Sequence, residues 1–316
     1  MLDLITIGET MAVFTPASRG KLRYVRDFNL KIAGAESNLA IGMQKLGYST
    51  GWISKLGDDE LGQFIIQTLR GEGIDLSNIS IDSNRPTGIM IKEFIGFNET
   101  NIYYYRHNSA ASSLSPGDID EEYVRQAKIV HITGITPLLS HSCYESVKRI
   151  IDIAKENNIL ISFDPNIRLK LFNSQEALDI IKSVLLQSNI VLLGLSEAEI
   201  LFNLGDIEAI FSLVKDCENI QYLAVKDGAN GAWVGNREKY LKIEPYKCNP
   251  VDPVGAGDAF NAGFLSGILD GLDIKVCGQI GAICGALATQ SYGDFEGLPS
   301  KKEVLHILQN TTEIRR

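Results

Sequence analysis

Residues 252–265 read Asp-Pro-Val-Gly-Ala-Gly-Asp-Ala-Phe-Asn-Ala-Gly-Phe-Leu. A glycine-rich turn runs straight into an apolar, small-residue segment whose first helical turn carries a carboxylate, Asp258. The start of a helix presents backbone N–H groups without intrahelical partners and the positive end of the macrodipole, so it suits an anion. Gly255 and Gly257, on either side of Ala256, allow a tight turn and let a ligand reach the backbone with no Cβ in the way. A carboxylate beside such a cradle has two readings. It is the acid that commonly occupies a first helical turn, or it takes a proton from an attacking hydroxyl.

Other candidates stand on loops that follow apolar runs. Ala33-Gly34-Ala35-Glu36-Ser37-Asn38 is a glycine turn opening a helix, where Asn38 either hydrogen-bonds a ligand hydroxyl or stabilises its own turn. Tyr104-Tyr105-Arg106 sets an aromatic face for a small ring or chain beside a fixed cation suited to a carboxylate. Asp164-Pro165-Asn166-Ile167-Arg168 supplies a second arginine. Either arginine alone reads as a surface residue; two on loops of the same edge form a pattern. Ser196-Glu197-Ala198-Glu199 has the form of a capping box, or else offers Glu199 as a carboxylate that orders Mg2+ water. Lys226-Asp227-Gly228-Ala229-Asn230-Gly231 is an ordinary hairpin turn or a lysine-bearing turn bordering a nucleotide. The chain has no G-x-x-x-x-G-K-[ST] loop, no G-x-G-x-x-G fingerprint and no G-x-S-x-G elbow. His107, His131, His141 and His306 lack zinc spacing, and His131 falls within a strand as a core histidine.

The elements that must position these residues alternate. Short apolar runs at 4–7, 51–55, 129–133, 160–163, 190–193 and 222–225 are expected strands. Longer amphipathic stretches at 36–46, 60–72, 142–157, 174–187, 197–202, 207–215, 259–269 and 274–291 are expected helices. That alternation implies an α/β fold with a mostly parallel sheet, helices on both faces and ligands at the carboxyl ends of the strands. Segments 9–31 and 85–108 instead alternate polar with apolar and aromatic residues, the pattern of half-exposed antiparallel strands. They are expected to form a small lid sheet over the ligand edge of a single domain spanning 1–316, with an apolar outer face suited to a homo-oligomer or merely finishing the core. The 316 residues carry a net charge of −9, which argues against nucleic acid or an anionic membrane as partner. Five cysteines without a C-x-x-C pair, no signal-peptide pattern and no long apolar run lead to the expectation of a cytoplasmic protein with reduced thiols.

Together these residues resemble the ribokinase-like carbohydrate kinases, the PfkB family. Residues 252–265 look like that family's C-terminal signature; Gly34, Asn38 and Leu56-Gly57-Asp58-Asp59-Glu60-Leu61-Gly62 match the N-terminal one. The likeness runs from Gly8-Glu9 to Gly293-Asp294 and implies a three-layer α/β/α fold with a β-sheet lid. It implies Asp258 as catalytic base and the backbone of Gly255, Ala256 and Gly257 as anion hole. Ser196, Lys226, Gly228 and Gly231 would border ATP, Glu199 would reach Mg2+ through water, and a monovalent cation is a further candidate cofactor. Gly34, Asn38, Met90, Tyr104, Arg106 and Arg168 would bind the sugar. Within the family the chain is most similar to the 2-keto-3-deoxygluconate kinase branch, which shares the Gly-Ala-Glu-x-Asn turn, Tyr-Tyr-Arg followed by Ser109-Ala110, and Asp-x-Asn-x-Arg. A sugar acid would use both arginines; a neutral sugar such as fructose would not. Three positions depart from the pattern: Ala33 replaces a common glycine, Ser196 a common asparagine, and Met90 a tyrosine found in some sugar-acid kinases. A sugar sensor without activity would be expected to have lost the acid or the turn, and both are intact.

Overall fold

The computed structural model describes residues 1–95, 99–172 and 174–313. Three strands precede the first α-helix, Ala35–Lys45: β1 (Leu2–Ile7), β2 (Met11–Pro16) and β3 (Phe28–Ala33). β4 (Thr50–Gly57), β5 (Ile79–Asp82), β6 (Ile89–Ile95) and β7 (Glu99–Tyr105) follow. β8 (Ala127–Thr133), β9 (Leu160–Asp164), β10 (Ile190–Gly194) and β11 (Tyr222–Lys226) alternate with helices, and β12 (Ala232–Asn236) and β13 (Tyr240–Ile243) end the series.

Nine strands form one sheet in the order β13-β12-β11-β10-β9-β8-β1-β4-β5. All neighbours from β5 to β11 are parallel, and β12 and β13 return antiparallel at one edge. Side chains alternate between two apolar layers, with Ile190 and Leu192 in one and Val191 and Leu193 in the other. That period of two, apolar on both sides, is what a doubly covered parallel sheet demands. Helices Ala35–Lys45, Ala256–Leu269 and Ile274–Ala288 cover one face, and His141–Glu156 and Gln175–Leu186 cover the other. The three layers are those expected. His131 is a satisfied core residue, its Nδ1 3.0 Å from Ser162 Oγ. Among the described residues every cysteine is free, and burial pushes the Cys277 and Cys284 thiols up to about 12.

The chain leaves β1 toward β4 and β5 on one side and later places β8 on the other, so strand order reverses beside β1. Such a switch point opens a crevice at the strands' carboxyl ends. Over it lies a four-stranded sheet, β3-β2-β6-β7, built from two antiparallel hairpins. The hairpins join through a parallel pairing of β2 with β6, Val13 opposite Met90, which the alternation pattern does not reveal. The expected lid segment 85–108 includes residues 96–98, which lie outside the described residues. Met11, Val13, Ala33 and Met90 cluster on one face with Ile102 and Tyr104, while Phe28, Leu30, Tyr103 and Tyr105 are exposed. Two ion pairs tie this sheet to the segment after helix Ile274–Ala288: Lys31 to Glu296 at 2.6 Å and Lys92 to Asp294 at 3.0 Å. No helix among the described residues is long and apolar enough to cross a membrane.

The 56–62 stretch has a mechanical purpose. Asp59 caps helix Glu60–Gly71 by accepting from Gly62 N at 2.8 Å, and its other oxygen accepts from Thr87 N, also at 2.8 Å, just before β6. Burial would raise its carboxyl, but the backbone donors of Thr87 and Gly62 outweigh that and hold it below the ordinary range. A depressed folded-state pKa stabilises above the unfolded value and is lost as pH falls through the folded one. Asp59→Ala should therefore cost about 1–2 kcal/mol at pH 7, measured by urea unfolding. The deficit should shrink in acid below the ordinary carboxylate range; a pH-independent deficit would show that the capping bonds are not its source.

Candidate active site

Loops at the carboxyl ends of β1, β8, β9, β10 and β11, together with the inner face of the four-stranded sheet, enclose a cleft of about 1100 Å3. Its floor is the start of helix Ala256–Leu269. Gly255 has φ 77°, a left-handed conformation, and a Cβ there would come within 2.2 Å of the Asp294 carbonyl oxygen. Only glycine fits on both counts. The preceding loop is anchored where Val251 N and Asp252 N donate to Thr289 O at 2.7 and 3.0 Å. Asp252 Oδ1 accepts from Val254 N at 3.1 Å and sets the approach to the turn. Beside the turn the space is open: a Cβ on Gly257 would meet nothing nearer than Lys226 Nζ at 3.9 Å.

Asp258 stands one turn into this floor. Asn38 Nδ2 donates to its Oδ2 at 2.8 Å. Burial is the largest influence on the Asp258 carboxyl, with repulsion from Asp164 in the same direction. The Asn38 bond and the charges of Arg168 and Lys226 pull the other way, and the balance leaves it raised to about 7. Asn38 is itself held by Gly34, whose Cβ would lie 2.7 Å from Glu9 O and 2.8 Å from Thr10 Oγ1. The Asn38 Oδ1 atom is buried without a hydrogen-bond partner, an acceptor aimed at nothing in the protein itself.

A buried polar network lies beneath. Lys226 Nζ donates to Asp164 Oδ2 at 2.7 Å and to Asn261 Oδ1 at 3.1 Å, and Asn261 Nδ2 donates to the same Asp164 oxygen at 2.5 Å. Burial alone would raise the Asp164 carboxyl; the Lys226 ammonium and the Asn261 amide hold it below the ordinary range. The other Asp164 oxygen accepts from Asn166 N at 2.9 Å, and Asn166 adopts a left-handed φ of 40°. Ile167 N donates to Glu197 Oε1 at 2.7 Å. Two carboxylates thus shape the loop that carries Arg168 to the cleft. On the lid side, Arg106 contacts Glu9 Oε2 at 2.5 Å while Ser109 Oγ donates to Glu9 Oε1 at 2.6 Å. The Arg106 guanidinium lies 5.8 Å from the Tyr104 ring centroid, and its Nε is buried without a partner.

Of the residues expected at a site, Gly34, Asn38, Met90, Tyr104, Arg106, Arg168, Lys226, Gly255, Gly257 and Asp258 line the cleft, with Ala256 in the first helical turn behind them. Ser196, Glu199, Gly228 and Gly231 do not line it. The carboxylate that helix Leu195–Phe202 offers to the cleft is Glu197, whose Oε2 accepts from Gly194 N at 2.6 Å as a capping box requires. Glu199 lies two positions on, roughly 200° around the helix axis, and is exposed. Gly228 and Gly231 serve the hairpin, both at positive φ, while the Lys226 side chain turns inward to Asp164. Glu9, Glu36, Asp164, Glu197 and Asn261 went unassigned in the sequence. Glu36 Oε1 accepts from Thr133 Oγ1 at 2.6 Å and Thr136 Oγ1 at 2.8 Å, and burial raises its carboxyl. The one available signal was a cluster of acids at strand ends.

The model of the pfkB family of carbohydrate kinases matches residues 1–301. A 2-dehydro-3-deoxygluconokinase from Bacillus subtilis is 37% identical over 97% of this chain and 95% of its own. One from Thermoproteus tenax is 32% identical over 98% and 95%. The crystal structure of a putative ribokinase II from E. coli in complex with ATP and Mg2+ superposes with a TM-score of 0.89 at 27% identity, covering 98% of this chain and 100% of that one.

The raised carboxyl of Asp258 makes stability pH-dependent. Its folded pKa of about 7 lies above the ordinary 3.8, so ionising it costs more in the folded state. The folded protein loses stability from this group as pH rises from about 4 to about 7, and the loss is constant beyond. Asp258→Asn removes that loss, so the melting temperature of the variant should gain on the wild type between pH 5 and pH 8. A constant difference across that range would mean that Asp258 titrates normally.

Proposed function

The chain belongs to the pfkB family of carbohydrate kinases, and from that premise we propose that it moves the γ-phosphoryl group of ATP to the primary hydroxyl of 2-keto-3-deoxygluconate, also called 2-dehydro-3-deoxygluconate. The observation that carries this reading is the meeting, in one cleft, of a carboxyl raised to about neutrality at a helix N-terminus with two guanidinium groups. ATP supplies the phosphoryl group and brings Mg2+ on its phosphates. The open, Cβ-free space beside Gly255 and Gly257, next to the Lys226 ammonium, fits such an anion. Among the described residues no group of three or more His, Cys, Asp or Glu forms a ready metal site. Glu197 and Asp252 are cleft carboxylates suited to hydrogen-bond the water around Mg2+.

Asp258, in its ionised form, accepts the proton of the attacking hydroxyl, and a pKa near the working pH is what a general base needs. The N–H groups of the Gly255–Gly257 turn and the helix dipole stabilise the charge that gathers on the transferred group. Asn38 fixes the orientation of Asp258 and offers its free Oδ1 to a sugar hydroxyl. Arg106 is balanced by Glu9, so toward substrate it acts through the directed N–H of its buried Nε. Arg168 has no carboxylate within ion-pair distance among the described residues and supplies the net charge a sugar acid requires. Tyr104 and Met90 give the carbon chain an apolar wall. The lid, tied down through Lys31 and Lys92, excludes water that would otherwise take the phosphoryl group. A monovalent cation remains a family expectation, checked by exchanging potassium for a bulky organic cation in the assay.

Asp258→Asn should lower kcat by about two to four orders of magnitude while ATP affinity changes little. In the same assay, Arg106→Ala and Arg168→Ala should raise KM for the sugar acid far more than for fructose. Equal losses on both substrates would favour a fructokinase, and near-normal turnover by Asp258→Asn would remove the base from the mechanism. The exposed Phe28, Leu30, Tyr103 and Tyr105 on the outer lid face suit a second copy of the chain. Leu30→Glu should then shift the particle mass seen by light scattering toward the monomer, and a wild type that is already monomeric would refute that pairing.

A further inference from the structure

A second cavity of about 560 Å3 adjoins the cleft and shares Tyr104, Arg106 and Arg168 with it. We propose that this cavity is a binding site for a phosphate-class dianion, and that its occupant competes with the carboxylate of the sugar acid; the competition, though not the binding, rests on the function proposed above. The cavity is cationic against the trend of the chain. Lys55, Arg85, Arg106, Arg168 and Lys170 line it together with His107, and none of its described lining residues is acidic, whereas the whole chain has a net charge of −9. Charge of one sign gathered in a concave wall raises the local concentration of the opposite ion.

The carboxylates that balance some of these cations stand behind the wall. Asp118 backs Lys55 at 3.0 Å, Asp82 backs Arg85 at 3.1 Å, and Glu9 backs Arg106. These pairs fix the side chains and leave their remaining N–H donors to the cavity. Arg168 and Lys170 have no carboxylate partner among the described residues. Lys170 Nζ donates to Ile102 O at 2.8 Å and lies 5.2 Å from the Tyr104 ring centroid. An ammonium has three donors, so two remain. The buried Arg106 Nε, also without a partner, belongs to the wall common to both cavities. Ser140 and Ser142 add hydroxyls at the start of the sixteen-residue helix His141–Glu156.

A phosphate dianion matches this wall in charge and in number of acceptor atoms, since guanidinium and ammonium donors bind phosphate oxygens by charge-assisted bonds. A neutral ligand would leave the two uncompensated cations unmatched. Because Arg106 and Arg168 face both cavities, an anion that engages them from one side leaves fewer donors for a carboxylate on the other. Coupling of that kind is reciprocal, so the sugar acid must also weaken the anion.

The test is calorimetric titration of the protein, in chloride buffer without ATP, using inorganic phosphate in one arm and glucose 6-phosphate, a phosphate ester without a carboxylate, in the other. The wild type is compared with Arg85→Ala and with Arg85→Ala/Lys170→Ala. Binding that weakens about tenfold or more in the double variant supports the site, since each lost cation removes a charge-assisted contact. Binding in both arms assigns the occupant as free phosphate, and binding of the ester alone assigns it as a phosphorylated metabolite. In kinetics, the bound probe should raise KM for the sugar acid and leave KM for ATP unchanged, each variant being referred to its own kcat and KM. No heat from either probe at roughly 10 mM, where even weak anion sites fill, overturns the proposal. So does binding that the variants leave intact, or inhibition competitive with ATP, which would place the phosphate at the Gly255 turn. A protein that binds phosphate here yet does not phosphorylate the sugar acid would overturn the proposed function and leave this site standing.

Discussion

The Lys226 ammonium lies 2.7 Å from Asp164 Oδ2, bridging the carboxyl ends of β9 and β11 across the intervening β10. Asn261 adds the helix above to the same oxygen, and Asn166 N attaches the Arg168 loop to the other. A carboxylate 3% exposed cannot stand there alone; without its cation it would protonate or the loop would rearrange. Such a pair is not a reliable source of net stability, because desolvation of both ions offsets their attraction. Its value is positional. Three loops and one helix must keep register for all these bonds to form together, and the anion turn, Asp258 and Arg168 all hang on that register.

The lid depends on a weaker set of restraints. Its inner face is apolar but small, and its ties to the body include two ion pairs. The Lys31–Glu296 pair, about a third exposed, adds about 0–1 kcal/mol by the usual measure of such contacts. Lys92 and Asp294, each 10% exposed, are better shielded. Asp294 also backs Gly255 through its carbonyl, so the segment that receives the lid is the segment that shapes the turn. Lid position and turn geometry are mechanically joined. On the function proposed above, a cover held so lightly is free to open for a sugar to enter, which a cleft sealed by a large apolar interface could not do.

Most of the central sheet was legible because each buried strand carries its own signature, a short apolar run bounded by turns and, for β4, β8, β9 and β10, followed by a helical stretch. β5 and β13 were not, since edge strands are partly exposed and their patterns are diluted by polar residues, and β12 was implied only as the return strand of the hairpin turn at 226–231. Asp258, Asn38, Arg106 and Arg168 were legible from motifs in which backbone need and chemistry coincide, as with glycine before an acid at a helix start. The supporting contacts were not. Glu9 meets Arg106 at a sequence separation of 97, and Lys226 meets Asp164 at one of 62. No local pattern announces such pairs, and a lysine in a glycine-rich turn reads equally well as a surface residue. Glu197 and Glu199 differ by two positions, and only the rotation of a helix that begins at Leu195 decides which of them faces inward.

On the function proposed above, the start of helix Ala256–Leu269 has to meet two opposed demands. An anion cradle needs positive potential, from the helix terminus, Lys226 and Arg168, and that same potential makes a neighbouring carboxyl more acidic. A base strong enough to take a proton from a hydroxyl needs the reverse. The conflict is resolved by setting Asp258 in a half-buried position near Asp164, whose negative charge reaches Asp258 as well as Lys226. Burial and that repulsion outweigh the cations, and the carboxyl ends near neutrality. Asp164 is thus two-sided: it cancels much of the Lys226 charge that would weaken the base, and it fixes the ammonium where an incoming phosphate can still meet it. An acid in the same turn, exposed to water and without Asp164, would be an ordinary helix-capping carboxylate, ionised well below neutral pH and a poor base. On that reading, the difference between a capped helix and a phosphoryl-transfer site lies less in the glycine turn than in the partial burial of its acid, to which the charge of Asp164 adds.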